Sequence, residues 1–111
     1  MELIKGNIDK NFWKGKKVFI TGHTGFKGSW LCLMLNQLGS SIAGYSLPPK
    51  KNSLFHIVNL KKKIKKNYYF DIRNFKILKK KIELFKPDII FHLAAQSLVI
   101  DSYLKPFDTF E

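Results

Sequence analysis

Residues 16–31 read KKVFITGHTGFKGSWL, and this stretch decides the fold. The run from Lys16 to Thr21 is rich in residues that favour strands and ends at a glycine, which predicts a buried strand. From Phe26 the pattern becomes helical, because apolar residues recur at Leu31, Met34, Leu35 and Leu38. Gly39 follows as a glycine that ends a helix would. The stretch therefore predicts a strand, a glycine-rich turn and an amphipathic helix.

Each of the three glycines in the turn has its own predicted task. Gly22 permits the tight turn out of the strand. Gly25 lets the backbone approach a pyrophosphate closely, and Gly28 lets the helix pack tightly on the strand. The first N–H groups of the helix and its dipole then face phosphate anions. A tight turn with no ligand is the alternative, but a strand before the glycines and a helix after them favour dinucleotide binding.

The rest of the chain continues the alternation of strands and helices. Apolar runs predict strands at residues 41–45, 68–70 and 89–93, and a short helix at 54–59. A further helix is capped by Asn74 and stopped by Pro87, and its apolar stripe is Phe75, Leu78, Ile82 and Phe85. Parallel strands need crossover helices, and crossovers are right-handed. The predicted fold is therefore α/β, a Rossmann-type doubly wound parallel sheet of about four strands in the order 3-2-1-4.

The chain length and composition fit one small domain. Of the 111 residues, 1–15 form a polar lead-in whose Phe12 and Trp13 pack onto the domain, and 16–111 form a partial dinucleotide-binding domain. No membrane span or secretory signal is predicted. The single cysteine, Cys32, fits a reducing compartment. The net charge of +12 permits nucleic-acid binding, but without an accompanying motif we interpret the lysine runs as a solvated surface.

The turn spacing G-x-x-G-x-x-G resembles that of the extended short-chain dehydrogenase/reductase family, and the run through Ser29 and Trp30 is closer still to the CDP-glucose 4,6-dehydratases within it. Similar residues follow in order almost to the end of the chain, at 44–47, 53–55, 71–73, 85–88, 91–96, 98–99 and 102–103. The resemblance implies an NAD-dependent lyase that converts CDP-glucose to CDP-4-keto-6-deoxyglucose. A related sugar-nucleotide epimerase or reductase is the alternative.

The resemblance also implies which residues bind NAD, and all of them follow strand ends or lie in the glycine turn: Gly22, Thr24, Gly25, Phe26, Lys27, Gly28, Ser46, Asp71, Ile72, Leu93, Ala94, Ala95 and Gln96. Asp71 and Ile72 match a pair beside the adenine, although Asp71 equally suits an Asx cap on the next turn. His92 is interpreted as a hydrogen-bonded core residue. His23 is expected either to contact phosphate or to be exposed in the turn.

The family further implies a cytoplasmic protein of nucleotide-sugar and surface-polysaccharide metabolism, with homo-oligomers possible and neither nucleic acid nor membrane as partner. No metal site and no catalytic residue is assigned within the chain. The family's Tyr-x-x-x-Lys pair is expected beyond Glu111, so this chain alone should be inactive.

Two positions depart from the expected pattern. Dinucleotide folds often place an acid at the end of the second strand to hold ribose hydroxyls. This chain has Ser46 there, followed by Lys50 and Lys51. Ser46 can hydrogen-bond a ribose hydroxyl, whereas the lysines would favour a 2′-phosphate, so this position does not decide between NAD and NADP. Ile100 stands where family members commonly carry arginine.

Overall fold

The computed structural model describes residues 9–94 of the chain. It contains the following helices and strands in chain order: α1 (Lys10–Trp13), β1 (Lys17–Thr21), α2 (Phe26–Gln37), β2 (Ser41–Ser46), α3 (Leu54–Ile57), a 3₁₀ turn (Leu60–Lys62), β3 (Lys66–Tyr69), α4 (Phe75–Phe85) and β4 (Ile89–His92). Within this range no helix combines the length and the apolar character needed to cross a membrane.

The four strands form one parallel sheet in the order β3-β2-β1-β4. Ile20 in β1 is paired with Gly44 in β2 and with Phe91 in β4, so β1 lies between two neighbours. Its core residues are fully buried because helices cover both faces of the sheet. The predicted fold class and strand order are confirmed. The carboxyl ends of all four strands consequently meet at one edge of the sheet, which is where α/β folds bind ligands.

Alternate residues of β1 enter two separate cores. Val18 and Ile20 pack with helix α2 and the segment from α3 to the 3₁₀ turn, and Phe19 packs on the opposite face with Tyr45 and helix α4. Burial of a side chain of this size contributes about 1.5–3 kcal/mol. The period-two burial of β1 therefore fixes which helix lies on which face of the sheet.

Helix α2 buries a face that only partly coincides with the one its leucine spacing predicts. Its buried residues are Gly28, Ser29, Cys32 and Leu35. Leu31 packs against the core as predicted, whereas Met34 belongs to neither core cluster, so the predicted stripe is wrong at Met34. The reason is the close approach of Gly28 to the turn, which turns the small residues of the helix toward the sheet. Burial raises the pKa of the Cys32 thiol to about 12, so it stays protonated inside the core.

Three other predicted boundaries or contacts need correction. Strand β3 begins at Lys66 rather than Tyr68, because an edge strand tolerates the polar Lys66 and Asn67 that a search for apolar runs passes over. The helix predicted at 54–59 ends at Ile57. Phe75 is 55% exposed at the first position of α4, and Ile77 packs on the core instead. Asn74 caps α4 as predicted, since its side chain accepts a hydrogen bond from the N–H of Ile77.

The lead-in contacts the domain through Trp13. Its ring stacks on Phe91 at a centroid distance of 6.3 Å, as predicted. Phe12 is instead about half exposed and lies with its edge against Trp13.

Gly39 ends helix α2 in the left-handed conformation, with φ of +86°. The N–H of Ser40 donates to the carbonyl of Leu35 and that of Gly39 to the carbonyl of Asn36, which is the Schellman pattern. A Cβ at position 39 would find only ordinary contacts with Lys14. Replacement of Gly39 by alanine is therefore expected to lower the free energy of unfolding through conformational strain alone, by about 1–2 kcal/mol.

Urea denaturation followed by circular dichroism measures this loss. Gly39→Asn is the matched control, because asparagine tolerates the left-handed region and should recover part of the stability. Equal stability of Gly39→Ala and the unchanged chain would refute the assignment of strain to this residue.

Candidate functional site

The turn after β1 leaves the sheet at Gly22. Its φ is +83°, and its N–H donates to the carbonyl of Tyr45 on the neighbouring strand. A Cβ at this position would lie 2.6 Å from the backbone N of Ala94. Both the backbone conformation and the closeness of the chain after β4 therefore demand glycine, as the sequence predicts for a tight turn.

Gly28 brings helix α2 against that turn. A Cβ here would lie 2.8 Å from Cα of His23 and would also overlap the carbonyl of Gly22. Ser29, the next residue, donates its hydroxyl hydrogen to the carbonyl of His23 at 2.8 Å. The prediction that Gly28 serves close packing of helix on strand is confirmed.

Gly25 differs from the other two glycines because no atom of residues 9–94 requires it. Its φ is −77°, which alanine adopts freely, and a Cβ would meet only the carbonyl of Gly22 at 3.6 Å. Gly25 is exposed and lines a cavity. Packing among the described residues therefore does not explain why this position is glycine.

The first amides of helix α2 have no acceptor. Within residues 9–94 neither a side chain nor a carbonyl accepts a hydrogen bond from the N–H of Phe26, Lys27 or Gly28. Gly25, at the N-cap, has no side chain with which to cap the helix. Unpaired amides and the positive end of the helix dipole favour an anion at this point.

His23 anchors the glycine turn to the sheet. Its side chain is fully buried, with Nε2 2.6 Å from Oδ1 of Asn67 on β3 and the ring edge-on to Phe55. Gly44 on β2 makes room for the ring, since a Cβ there would lie 2.6 Å from Nδ1. Burial lowers the pKa of His23 to about 4, although the hydrogen bond to Asn67 opposes this shift. His23 is therefore neutral near pH 7, and both expectations for it, phosphate contact and exposure, are wrong.

An open cavity of about 980 Å³ lies over the turn. Its lining brings together eight of the predicted site residues, which are Gly22, the five residues from Thr24 to Gly28, Ser46 and Leu93. The opposite wall comes from Leu47, Pro48 and the residues from Lys50 to Leu54, which follow β2 and lead into α3. The aromatic ring of Phe26 is 68% exposed at this cavity and lies edge-on to Trp30.

Two hydroxyl groups join the turn to the end of β2. Oγ1 of Thr24 donates to the carbonyl of Leu47 at 2.9 Å and lies 2.8 Å from Oγ of Ser46. Thr24 has one hydroxyl hydrogen, which goes to Leu47, so Ser46 must supply the hydrogen between the two oxygens. The lone pairs of Ser46 then remain available to accept a hydrogen bond in the cavity.

Three further predicted residues within 9–94, Asp71, Ile72 and Ala94, are not part of the cavity lining. Asp71 acts as an Asx cap on the turn after β3, which is one of the two roles that the sequence left open. Its carboxylate accepts hydrogen bonds from the backbone N–H and the guanidinium of Arg73. These bonds hold the pKa of Asp71 at about 2. Ile72 packs in the core on the α4 side of the sheet. Ala94 is half-buried beside Oγ1 of Thr21, and Ala95 and Gln96 lie outside the described residues.

Sequence reasoning passed over Asn67 and Gly44, which hold His23 in place. No local signal marks them, since they reach His23 only through the register that pairs Gly44 with Asn67 across β2 and β3. His92 is a hydrogen-bonded residue at the end of β4, as predicted: its Nδ1 lies 2.6 Å from Oγ1 of Thr21.

A protein-family model described as GDP-mannose 4,6 dehydratase matches residues 19–111. The chain belongs to this family. Within the family, the resemblance noted in the sequence is confirmed by the CDP-glucose 4,6-dehydratase of Salmonella typhimurium. That protein is 53% identical over 104 residues, covering 93% of this chain and 29% of the relative.

Solved structures share the fold of this GDP-mannose 4,6 dehydratase family member. An epimerase from Methanothermobacter thermautotrophicus superposes with a TM-score of 0.59 and 25% identity, over 89% of this chain and 28% of that one. A UDP-glucose-4-epimerase from Stenotrophomonas maltophila, crystallised with bound NAD and formylated UDP-arabinopyranose, gives a TM-score of 0.60 and 24% identity, over 86% and 29%. The chain thus spans under a third of each of these proteins.

Proposed function

We propose that this chain is the NAD-binding, N-terminal part of a nucleotide-sugar 4,6-dehydratase that acts on CDP-glucose. The observation that carries the proposal is the first turn of helix α2, where the amides of Phe26, Lys27 and Gly28 have no acceptor among residues 9–94 and Gly25 leaves the approach clear of those residues. The 53% identity to the Salmonella CDP-glucose 4,6-dehydratase supports the choice of substrate.

The residues in the first turn of helix α2 fit a pyrophosphate. Three amides supply hydrogen-bond donors, and Lys27 adds an exposed positive charge at the same wall. Among the three turn glycines, Gly25 is the one at which a side chain would meet no close atom of residues 9–94. A pyrophosphate needs donors, positive potential and close access to the backbone, and this site offers all three.

The other assigned residues follow the path of a dinucleotide away from the pyrophosphate. Ser46 accepts a hydrogen bond from a ribose hydroxyl, because its lone pairs face the cavity while its hydrogen is held by Thr24. Asp71 and Ile72 lie beside the adenine, which requires Asp71 to share its carboxylate between Arg73 and the ligand. Leu93 and Ala94 follow the end of β4, where small residues let the backbone approach the cofactor, and the family resemblance gives Ala95 and Gln96 the same role.

NAD, when bound, supplies a reversible acceptor for hydride. The task of this chain is to bind and orient the cofactor beside the carboxyl ends of the strands. None of its four tyrosines is followed by lysine four residues later: Tyr45 precedes Pro49, Tyr68 precedes Ile72, Tyr69 precedes Arg73 and Tyr103 precedes Phe107. We therefore assign only cofactor binding to this chain and expect no turnover of CDP-glucose by the chain alone.

The same proposal places the protein in the cytoplasm, in nucleotide-sugar metabolism that feeds surface polysaccharides, with homo-oligomers possible for the whole enzyme. Its one cysteine, Cys32, is buried inside the core and suits a reducing compartment. The positive charge is assigned to the solvated surface, with no nucleic acid or membrane as partner.

Titration of the chain with NAD tests the proposed function. Gly25→Ala should leave the fold intact, since the new methyl group meets no close protein atom. It should weaken NAD binding at least tenfold, about 1.4 kcal/mol, because the methyl group stands where the pyrophosphate approaches. Isothermal titration calorimetry gives the affinities, and amide shifts of residues 22–28 show where NAD binds.

Gly39→Ala is the matched control, being the same chemical change at the other end of helix α2 and outside the cavity lining. The folded fraction of this variant should bind NAD with unchanged affinity. If the unchanged chain shows no shifts at residues 22–28 in millimolar NAD, the proposed function is wrong.

A further inference from the structure

The side chain of His23 packs against the sheet although the residue belongs to the glycine turn. It is fully buried and is absent from the lining of the cavity over the turn. Gly44 on β2 leaves the space for its ring, since a Cβ there would lie 2.6 Å from Nδ1. Nε2 lies 2.6 Å from Oδ1 of Asn67 on β3, which is also outside the cavity lining. Neither His23 nor Asn67 therefore reaches a ligand in that cavity with its own side chain.

The two ring nitrogens of His23 have different surroundings. Oδ1 of Asn67 can only accept a hydrogen bond, so Nε2 carries the hydrogen of the neutral ring. Nδ1 is buried with no hydrogen-bond partner among residues 9–94. A proton on Nδ1 would create a charged N–H group without an acceptor in this part of the chain, and such a buried donor is costly. The ring therefore fits its site only in the neutral form.

Neutral surroundings keep the ring uncharged. Burial lowers the pKa of His23 to about 4, and the hydrogen bond to Asn67 opposes this shift. The titratable side chains of α2, β2, β3 and α3 are exposed, belong to the core on the α4 side, or stay protonated in the core. The exposed ones are Lys27, His56, Lys66 and Tyr69, those on the α4 side are Tyr45 and Tyr68, and the protonated one is Cys32.

A displaced ring would also displace the ligand-facing amides, because the backbone of His23 packs against the first turn of α2. A Cβ added to Gly28 would lie only 2.8 Å from Cα of His23. The carbonyl of His23 accepts a hydrogen bond of 2.8 Å from the hydroxyl of Ser29. The ring of His23 and the first amides of α2 are therefore held in one arrangement.

We propose that His23 is a positioning residue for the dinucleotide: its neutral ring, held by Asn67, keeps the first amides of α2 facing the pyrophosphate, so that a proton on His23 weakens binding. The inference rests on the dinucleotide site proposed above. Coupling between two binding events is reciprocal, so NAD in turn opposes the protonation of His23.

Replacement of Asn67 by aspartate brings this protonation into an accessible pH range. The size of the side chain hardly changes, but the carboxylate beside Nε2 favours the charged ring and should raise the pKa of His23 from about 4 to about 5–7. Calorimetry measures the NAD affinity of the folded variant from about pH 8 to pH 4.5, and an NMR titration of the His23 ring gives the midpoint. The affinity should fall at least tenfold across that midpoint, and saturating NAD should lower the midpoint by about one pH unit, which is the same coupling.

Two matched variants separate His23 from other effects of the new charge. Asn59→Asp makes the same change just before the 3₁₀ turn, outside the cavity lining, and its NAD affinity should stay nearly constant over this pH range. His23→Gln added to Asn67→Asp keeps a donor at the place of Nε2 but does not titrate, so it should remove the pH dependence. A dependence that persists in the double variant overturns the proposal, because the carboxylate or the ligand would then be its cause.

The failures of the two proposals are distinguishable. If NAD causes no shifts at residues 22–28 of the unchanged chain at pH 7, the proposed function is wrong and the inference falls with it. If NAD binds with equal affinity on both sides of the His23 midpoint in Asn67→Asp, only the inference is wrong. A midpoint that stays near 4 in this variant also overturns it, because Asn67 would then not hold the ring.

The unchanged chain provides a second test should Asn67→Asp fail to fold. The His23 ring is then titrated in acid with and without saturating NAD. A midpoint lowered by NAD supports the coupling, and an unaltered midpoint overturns it.

Discussion

Replacement of Gly28 by alanine is expected to lower the free energy of unfolding by about 3 kcal/mol or more, the upper range for overpacking. The added Cβ would lie 2.8 Å from Cα of His23 and would overlap the carbonyl of Gly22. Both are backbone atoms of a turn that is fixed on its other side by the sheet. No side-chain rotation relieves the overlap, so helix α2 must move away from β1.

Urea denaturation of the two alanine variants at positions 25 and 28 measures this effect. The pair is matched because the chemical change is the same and the positions are three residues apart. Gly25→Ala should keep the stability of the unchanged chain and lose NAD affinity, whereas Gly28→Ala should lose stability. Equal stabilities for both variants would show that α2 does not pack on the turn as closely as described.

The tasks of Gly22 and Gly28 could be predicted from sequence because they depend on local chain geometry. A strand that turns directly into a helix needs a residue with positive φ near the end of the strand. It also needs a residue without a side chain where the helix packs against the turn. Gly22 and Gly28 supply these at the predicted places. The strand order was also predictable, since right-handed crossovers between parallel strands leave few arrangements.

Contacts that depend on register could not be predicted in the same way. His23 looks like a polar turn residue until β2 and β3 are paired, when Gly44 and Asn67 meet its ring. The buried face of helix α2 likewise follows in part from the depth at which Gly28 packs and not only from the spacing of its leucines. In each case the deciding partner lies far away in the sequence.

The candidate site also combines features that could be predicted from sequence with features that could not. The turn and Ser46 come together in one cavity because the carboxyl ends of adjacent parallel strands must meet. The wall formed by residues 47–48 and 50–54 was not predicted, because the path of a connector after Pro48 and Pro49 depends on its packing. For Asp71 the sequence left two roles open, and its bonds to Arg73 show that the turn role is present.

Acidification from pH 7 to pH 4 is expected to remove about 3 kcal/mol of stability through His23. Its pKa is near 6.5 in the unfolded chain and about 4 in the folded one, because burial disfavours the charged ring. As the pH falls through 6.5 the unfolded chain binds a proton that the folded chain does not bind until about pH 4. The stability conferred by the neutral ring is therefore complete above pH 6.5 and is lost between pH 6.5 and 4.

Urea denaturation at several pH values between 7 and 4 measures the loss, and an NMR titration of the His23 ring identifies its source. The ring resonances should stay those of neutral imidazole down to about pH 5. Asp71 contributes little within this range, because its own effect sets in only as the pH approaches the unfolded pKa of 3.8 and is complete near its folded pKa of about 2. A His23 titration midpoint near 6.5 in the folded chain would contradict its burial between Gly44 and Phe55. Such a midpoint would instead support the exposed position in the turn, which is one of the two positions expected from the sequence.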